Sequence, residues 1–266
     1  MTAQCDWPPR PASLDPSSDY VELFGGALRC WQPRRGYRFS VDAVLLAMAA
    51  FDSHGAEVLE LGSGVGPVLL LLALNERFER LVGLEIQQSL HAYALENARL
   101  HGVDGRLRFL RGDLQAPPPE IEGRLFDLVV SNPPYYPLSD GHINPLDERA
   151  IARHEVACTL MDVLVCARRC LAVTGRTIVV YPALRAAPLL EAASEVGFDP
   201  QRCLFVRRCR GYEPRLVLVT LTPREARRSR TPPRTRHATI DLYDFDGRQL
   251  DPLAEFLHRV ESLAHR

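Results

Sequence analysis

The 266-residue chain contains no lysine, so all 32 cations counted as Lys plus Arg are arginine. With no alternative cation in use, the choice of arginine says nothing about phosphate recognition, and only the placement of these residues is informative. Cysteine is present but unpatterned. Seven residues, an odd number with no C-x-x-C pair, exclude a disulfide framework and point to reduced thiols in the cytosol. Cys158, Cys166, Cys170, Cys203 and Cys209 lack the spacing of zinc ligands and are expected to be buried small hydrophobes, with no metal site. The longest apolar run, Pro67 to Leu74, is far too short to span a bilayer. Met1 to Tyr20 is rich in proline and serine and has no apolar centre, which excludes a signal peptide there. No internal repeat is visible.

What is present centres on Phe126-Asp-Leu-Val-Val-Ser-Asn-Pro-Pro-Tyr-Tyr136. The apolar run with Val129 and Val130 predicts a buried strand, and Pro133 and Pro134 forbid it to continue or to turn helical. A stiff polar and aromatic tip is thereby set at the strand's carboxyl end, where open α/β sheets place ligands. The Asn132 amide oxygen and the Pro133 carbonyl can both accept from one planar NH2 group, and Tyr135 can stack on the ring that carries it. Such an amine is a poor nucleophile because its lone pair is delocalised into the ring. Two acceptors pulling on its hydrogens favour a pyramidal nitrogen aimed at an electrophile. The competing interpretation is an ordinary proline turn with its aromatics packed in the core.

The second signal lies upstream. Glu57 to Leu61 predicts a strand, Gly62-Ser-Gly-Val-Gly66 a glycine loop, and Pro67 to Leu74 a helix with proline in its first turn. Such glycines let the backbone pass close to a ligand at the positive end of a helix. The G-x-G-x-G spacing departs from the G-x-G-x-x-G of dinucleotide folds, and Glu60 would repel a pyrophosphate. An acid there suits a ligand bearing an ammonium group, such as the methionine part of S-adenosylmethionine. Leu81 to Leu84 predicts the next strand, ending in Glu85, whose carboxylate can accept from two ribose hydroxyls. Leu107 to Leu110 predicts a third, followed by Asp113, which can accept from an adenine amino group or cap a helix start.

Around these elements, Met1 to Ser18 is expected to be a loose arm, Leu23 to Trp31 a hairpin turning at Gly25-Gly26, and Ser40 the cap of a helix from Val41. Arg38, Phe39 and Ser40 are candidates to close over a cofactor. Residues 137–150 suit a mobile lid or substrate loop, and Ile151-Ala-Arg-His-Glu155 leads into a helix ending near Ala172. Thr177 to Tyr181, Cys203 to Arg207 and Arg215 to Leu221 predict further strands, with a helix over Ala183 to Val196. Net charge is −1, yet residues 201–236 hold eleven arginines against Glu213 and Glu225. A basic segment of this kind suits a phosphate backbone. Residues 224–236 are expected to be a loop or flexible arm, and the tail, 237–266, to begin as a short strand-like run and end in a helix. The expected organisation is an N-terminal arm, hairpin and covering helix over 1–50, a catalytic domain over 51–222, and an Arg-rich loop and tail over 223–266 packed on that same domain.

Alternating strands and helices with one glycine loop predict a doubly wound, Rossmann-like α/β sheet. On Val58 to Gly66, Glu85, Asp113 and Asn132-Pro-Pro-Tyr135 the chain resembles class I S-adenosylmethionine-dependent methyltransferases. Gln32 to Ala47 and Ala152-Arg-His-Glu155 make it similar to the bacterial family that methylates adenine N6 in a valine tRNA. The resemblance implies seven strands with the last antiparallel, S-adenosylmethionine as cofactor, and a cytoplasmic monomer or weak homodimer without membrane attachment. It assigns catalysis to Asn132, Pro133 and Tyr135. It assigns cofactor contacts to Arg38, Phe39, Ser40, Glu60, Gly62, Ser63, Gly64, Gly66, Glu85, Ile86, Asp113, Leu114 and Asn132. Substrate contacts fall to Pro134, Tyr135, Tyr136, Arg153 and His154, and the partner is RNA, in the anticodon region of a tRNA, met through the Arg-rich surface. The same tetrapeptide also methylates glutamine in release factors and bases in ribosomal RNA, and a non-catalytic RNA-binding module remains a further alternative.

Overall fold

The computed structural model describes residues 8–135, 158–226 and 234–265. A hairpin, β1 (Asp19–Leu23) and β2 (Leu28–Gln32), precedes helix α1 (Val41–Phe51). Next come β3 (Glu57–Leu61), α2 (Pro67–Leu72), β4 (Arg80–Glu85), α3 (Gln88–Leu100), β5 (Leu107–Arg111) and β6 (Phe126–Ser131). Then follow α4 (Leu160–Cys170), β7 (Leu171–Pro182), α5 (Ala186–Glu195), β8 (Phe198–Arg207), β9 (Leu216–Pro223), β10 (Arg236–Asp241) and α6 (Leu253–Ala264).

The main sheet has eight strands in the order β10-β8-β9-β7-β6-β3-β4-β5. Only β9 runs antiparallel to its neighbours. The expected seven strands with an antiparallel last member are therefore present as β3 to β9. The eighth is an addition from the tail: β10 pairs parallel with β8, Arg236 lying opposite Arg202. Arg236 is thus a strand residue, not a loop residue as the basic composition suggested.

Helices cover both faces. Period-2 alternation sends Val58, Leu128 and Val130 into a core under α1, α2, α3 and α6, and Leu59, Leu61 and Val129 into a second core under α4 and α5. The α6 stripe of Leu253, Phe256, Leu257 and Val260 has the 3.6-residue period of a core-facing helix. Its Phe256 meets Phe51 of α1 edge-on at 5.4 Å between centroids, and Arg259 reaches Asp52 at 2.7 Å. Such an aromatic pair is worth about 0.5–1.5 kcal/mol beyond the area it buries.

Some local expectations need correction. The described part of the N-terminal arm is docked: Leu14 is buried, and Ser18 Oγ lies 2.6 Å from the Tyr93 hydroxyl on α3. The hairpin is longer at its start, beginning at Asp19. Ser40 stands at the start of α1 but makes no side-chain cap. Strand β7 starts at Leu171, because α4 ends where Cys170 and Leu171 bury against the sheet. Among the described residues six cysteines stand outside any disulfide, five of them buried and Cys158 half-buried. Among the described residues no helix is long and apolar enough to cross a membrane, and no cluster could hold a metal ion.

Candidate active site

All the parallel strands end at one edge, and β3, β4, β5 and β6 deliver their last residues there side by side. Leu61 pairs with Ser131 and Leu84 with Leu61, so Gly62, Glu85 and Asn132 emerge from adjacent strands about 4.8 Å apart. Ser131 Oγ donates to Leu61 O at 2.8 Å and locks that register.

The glycine loop doubles back on β4 through Gly62 and Ser63, whose N–H groups donate to Leu84 O at 2.9 and 3.0 Å. Gly62, Gly64 and Gly66 all have positive φ, at 75°, 56° and 92°. At Gly66 a Cβ would also lie 2.5 Å from Phe109 Cζ, whereas at Gly62 it would meet open space. Gly66 is thus required by packing and by conformation, while Gly62 leaves room for a ligand against the backbone. Asn97 of α3 anchors the loop from beneath. Its Nδ2 donates to Val65 O at 2.9 Å and Trp31 O at 3.0 Å, and its Oδ1 accepts from Trp31 N–H at 2.7 Å.

Two carboxylates are buried in this neighbourhood. Glu85 accepts from Gly64 N–H and Gln87 N–H, both at 2.8 Å. Burial raises its pKa above the ordinary carboxylate value despite those bonds. Glu60 is raised well above it, first by burial and then by the nearby charge of Glu85, with only a Leu69 N–H pulling the other way. Its Oε2 and the Ser63 Oγ are buried without a hydrogen-bond partner. Orphaned acceptors of this kind suit a ligand that brings a cation and donors. Along the same edge Gly62, Leu84, Ile86, Gly112, Asp113, Leu114 and Cys158 line a narrow apolar cleft. Ile86 is exposed there, and Asp113 Oδ1 accepts from Gln115 N–H at 2.9 Å in a turn, not at a helix start. The donor set therefore fits S-adenosylmethionine: Glu60 for the ammonium, Glu85 for the ribose, and the cleft for the adenine.

At the end of β6, Pro133 is buried, while Asn132, Pro134 and Tyr135 are half-buried. The Tyr135 hydroxyl lies within hydrogen-bond reach of Asn132 Oδ1 and, at 2.9 Å, of Asp42 Oδ2 on α1. Burial chiefly, then the Asp42 charge, raises the phenol's pKa. The Tyr135 ring meets Tyr181 edge-on at 5.8 Å, and the Arg185 guanidinium donates to Tyr135 O while sitting 5.4 Å from the Tyr181 ring centre. Tyr37 packs over Gly64, where a Cβ would approach its ring to 2.8 Å.

Of the residues singled out in the sequence, the structure gathers Glu60, Gly62, Ser63, Gly64, Gly66, Glu85, Ile86, Asp113, Leu114, Asn132, Pro133, Pro134 and Tyr135 at one edge. Arg38 is engaged elsewhere, donating to Asp19 and to Pro33 O at 3.4 Å. Phe39 packs on the core, and Ser40 is exposed. Tyr136, Arg153, His154, Glu155 and the 137–150 loop lie outside the described residues. The described part of residues 224–236 is not at this edge. Arg234 and Arg236 line a cleft with Arg176, Arg202 and Asp52, which precedes the start of β3, and Arg224 pairs with Asp199 at 3.6 Å. Asp42, Tyr37, Asn97, Tyr181 and Arg185 escaped the sequence analysis. Asn97 had a visible signal, a polar residue on the buried stripe of α3.

Known proteins resemble this chain in sequence and in fold. A family model described as a methyltransferase domain matches residues 52–203. A protein of Porphyromonas gingivalis named tRNA1(Val) (adenine(37)-N6)-methyltransferase is 31% identical over 201 residues, 73% of this chain and 78% of its own. One of the same name from Bacteroides thetaiotaomicron is 30% identical over 196 residues, 72% of this chain and 79% of its own. Among solved structures, a predicted O-methyltransferase from Agrobacterium tumefaciens superposes with a TM-score of 0.63 at 18% identity, covering 83% of this chain and 96% of that one. Trm5b from Pyrococcus abyssi gives 0.52 at 20% identity, over 77% of this chain and 56% of that one. These structural likenesses concern the fold.

Proposed function

Because the chain belongs to the tRNA1(Val) (adenine(37)-N6)-methyltransferase family of methyltransferase-domain proteins, we propose that it methylates the exocyclic N6 amine of an unpaired adenine beside the anticodon of a tRNA. The observation that carries this reading is the half-buried Asn132, held at the β6 end beside the glycine loop with its Oδ1 within reach of a hydroxyl donor. When bound, S-adenosylmethionine supplies a methyl carbon activated by its sulfonium.

The chain's own residues then have separate tasks. Asn132 Oδ1 and the Pro133 carbonyl accept the two amine hydrogens and turn the nitrogen lone pair toward the methyl. Tyr135, braced by Tyr181, Asp42 and Arg185, offers its ring to the base, with Pro134 beside it. Positioning supplies most of the acceleration, and once the C–N bond has formed the methylated nitrogen, now cationic, gives one of its two protons to solvent. A paired base cannot enter such a pocket, so the target is unpaired or flipped out. The exposed Arg208, Arg210 and Arg215, at the same edge, are suited to the RNA backbone, more so than the described arginines of 224–236. Tyr136, Arg153 and His154 remain candidates to contact the substrate.

The test is transfer of a radiolabelled methyl to tRNA followed by nucleoside analysis. Wild type should yield N6-methyladenosine, and Asn132→Ala should lose about 100-fold or more in kcat while still binding S-adenosylmethionine. Label on a protein glutamine with none on RNA would overturn the reading in favour of the release-factor reaction.

A further inference from the structure

Among the described residues, two of the large apolar side chains most exposed to solvent stand at the catalytic edge: Leu184 is 96% exposed and Phe245 81%. Tyr212, 56% exposed, is at the same edge, in the loop between β8 and β9. Phe245 follows β10, which is parallel to β8, and β8 runs in the direction of β6. All three therefore lie beyond the carboxyl ends of the strands, on the side of Asn132. Arg208, Cys209, Tyr212, Tyr243, Asp244 and Phe245 line one open cleft there.

The cleft is joined to the catalytic corner by a chain of contacts. Arg185 holds Tyr135 O, Ala183 N–H donates to Arg215 O at 2.9 Å, and Tyr212 N–H donates to Cys209 O at 3.1 Å. Tyr243 N–H then donates to Arg208 O at 2.9 Å. From β6 to β8 is three strand spacings, about 14 Å, and β10 lies one spacing further. That is within the span of a few unpaired nucleotides leading away from a base in the pocket.

We propose that Phe245 and Tyr212, with Arg208 beside them, form a stacking platform for an unpaired nucleotide flanking the target base in the RNA substrate. The proposal rests on the RNA reading above and adds a second contact to it. Exposed rings lose the favourable burial of apolar surface, which a stacked base restores. The charges agree with this occupant. Arg208 and Arg210 have no carboxylate within 4 Å among the described residues, so they are available to phosphates. Arg207, by contrast, is paired with Asp241. Asp244 is the acid in the cleft, and its Oδ1 is taken by Asp246 N–H and Arg248 N–H at 2.9 and 2.8 Å. Rings interleaved with arginines are the pattern by which proteins hold single strands with little sequence preference. A protein partner burying the same rings is the alternative outcome.

The experiment uses full-length protein, Phe245→Ala, Tyr212→Ala, the double variant and Phe245→Trp. The probe is an unpaired oligoribonucleotide carrying 2-aminopurine, whose emission is quenched on stacking. Each alanine variant should bind it about tenfold or more weakly. The double variant should also lose the quenching, raise KM for tRNA, and leave kcat and S-adenosylmethionine affinity unchanged, while Phe245→Trp retains both affinity and quenching. A double variant that binds and quenches like wild type overturns the platform. If that variant methylates tRNA with wild-type KM, the platform fails and the reaction stands. If wild type stacks the probe but labels no RNA, the reaction fails and the platform stands.

Discussion

The Tyr135 hydroxyl donates to Asp42 Oδ2 across 2.9 Å, tying the tetrapeptide at the β6 end to the first turn of α1. The same hydroxyl reaches Asn132 Oδ1, and a phenol has one proton to give. While Asp42 takes it, Asn132 Oδ1 stays free for the substrate amine. Asp42 is therefore a positioning residue. Asp42→Ala leaves Asn132 as the sole acceptor and should lower kcat about tenfold or more, the worth of one charge-assisted hydrogen bond. Tyr135→Phe removes the competing donor, so the double variant Asp42→Ala/Tyr135→Phe should recover the activity of Tyr135→Phe alone. Steady-state kinetics on the four proteins would check this. Additive losses would sink the idea, because a purely structural Asp42 predicts no rescue.

The buried pair Glu60 and Glu85 gives the stability a defined pH dependence. Both folded pKa values lie above the ordinary carboxylate value, burial being the first cause in each. The folded state thus binds protons more tightly than the unfolded chain, so these groups favour folding at low pH. Their contribution is fully present below the ordinary carboxylate pKa and is lost as pH rises through the raised values. S-adenosylmethionine brings an ammonium and hydroxyl donors that favour the ionised carboxylates. The rise in Tm on adding it should therefore be larger at pH 8 than at pH 5.5. Glu60→Gln should flatten that difference and weaken the cofactor. Calorimetric scans at the two pH values decide the matter, and an equal rise at both would contradict this electrostatic account.

Asn97 carries a third expectation. It satisfies the Trp31 N–H, the Trp31 carbonyl and the Val65 carbonyl from a fully buried position. Truncation to alanine leaves those groups without partners, at about 1–3 kcal/mol for each one that stays unsatisfied. Asn97→Ala should lower the denaturation midpoint clearly and weaken S-adenosylmethionine binding, since Val65 belongs to the glycine loop. Asn132→Ala should do neither. Urea titration and cofactor binding on both variants separate the two roles.

How far the sequence could be followed depended on the range of the interactions. Strands β3, β4 and β6 were legible because an apolar run bounded by glycine or proline is local information. Gly62, Glu60, Glu85 and Asn132 were legible for the same reason, each being a residue at the end of such a run. The edge strand β10 was legible only as a short strand-like run opening the tail at His237, and its place in the sheet was not, because that place comes from the pairing with β8. Asp42 and Arg185 were invisible for a related reason. They lie 93 and 50 positions from Tyr135, and only the folded sheet brings them to it. Arg38 was given its cofactor role from position alone, and its contact with Asp19 is a further pairing that only the folded hairpin makes visible.

Gly66 offers a test of the loop itself. It combines φ of 92° with a Cβ direction that runs into Phe109 Cζ at 2.5 Å. An alanine there faces both a left-handed backbone penalty of about 1–2 kcal/mol and an overpacking cost of about 1–3 kcal/mol. The ring of Phe109 is itself pinned, because it also packs on Gly83, where a Cβ would come within 2.4 Å of its Cδ1. Gly66→Ala should therefore lower Tm by several degrees and reduce cofactor affinity, since the loop must shift to admit the methyl. Replacing Phe109 by leucine in the same chain removes the steric part but not the backbone part. The double variant should regain some but not all of the lost stability in thermal melts. Full recovery would place the whole cost in the contact, and no recovery would place it in the backbone.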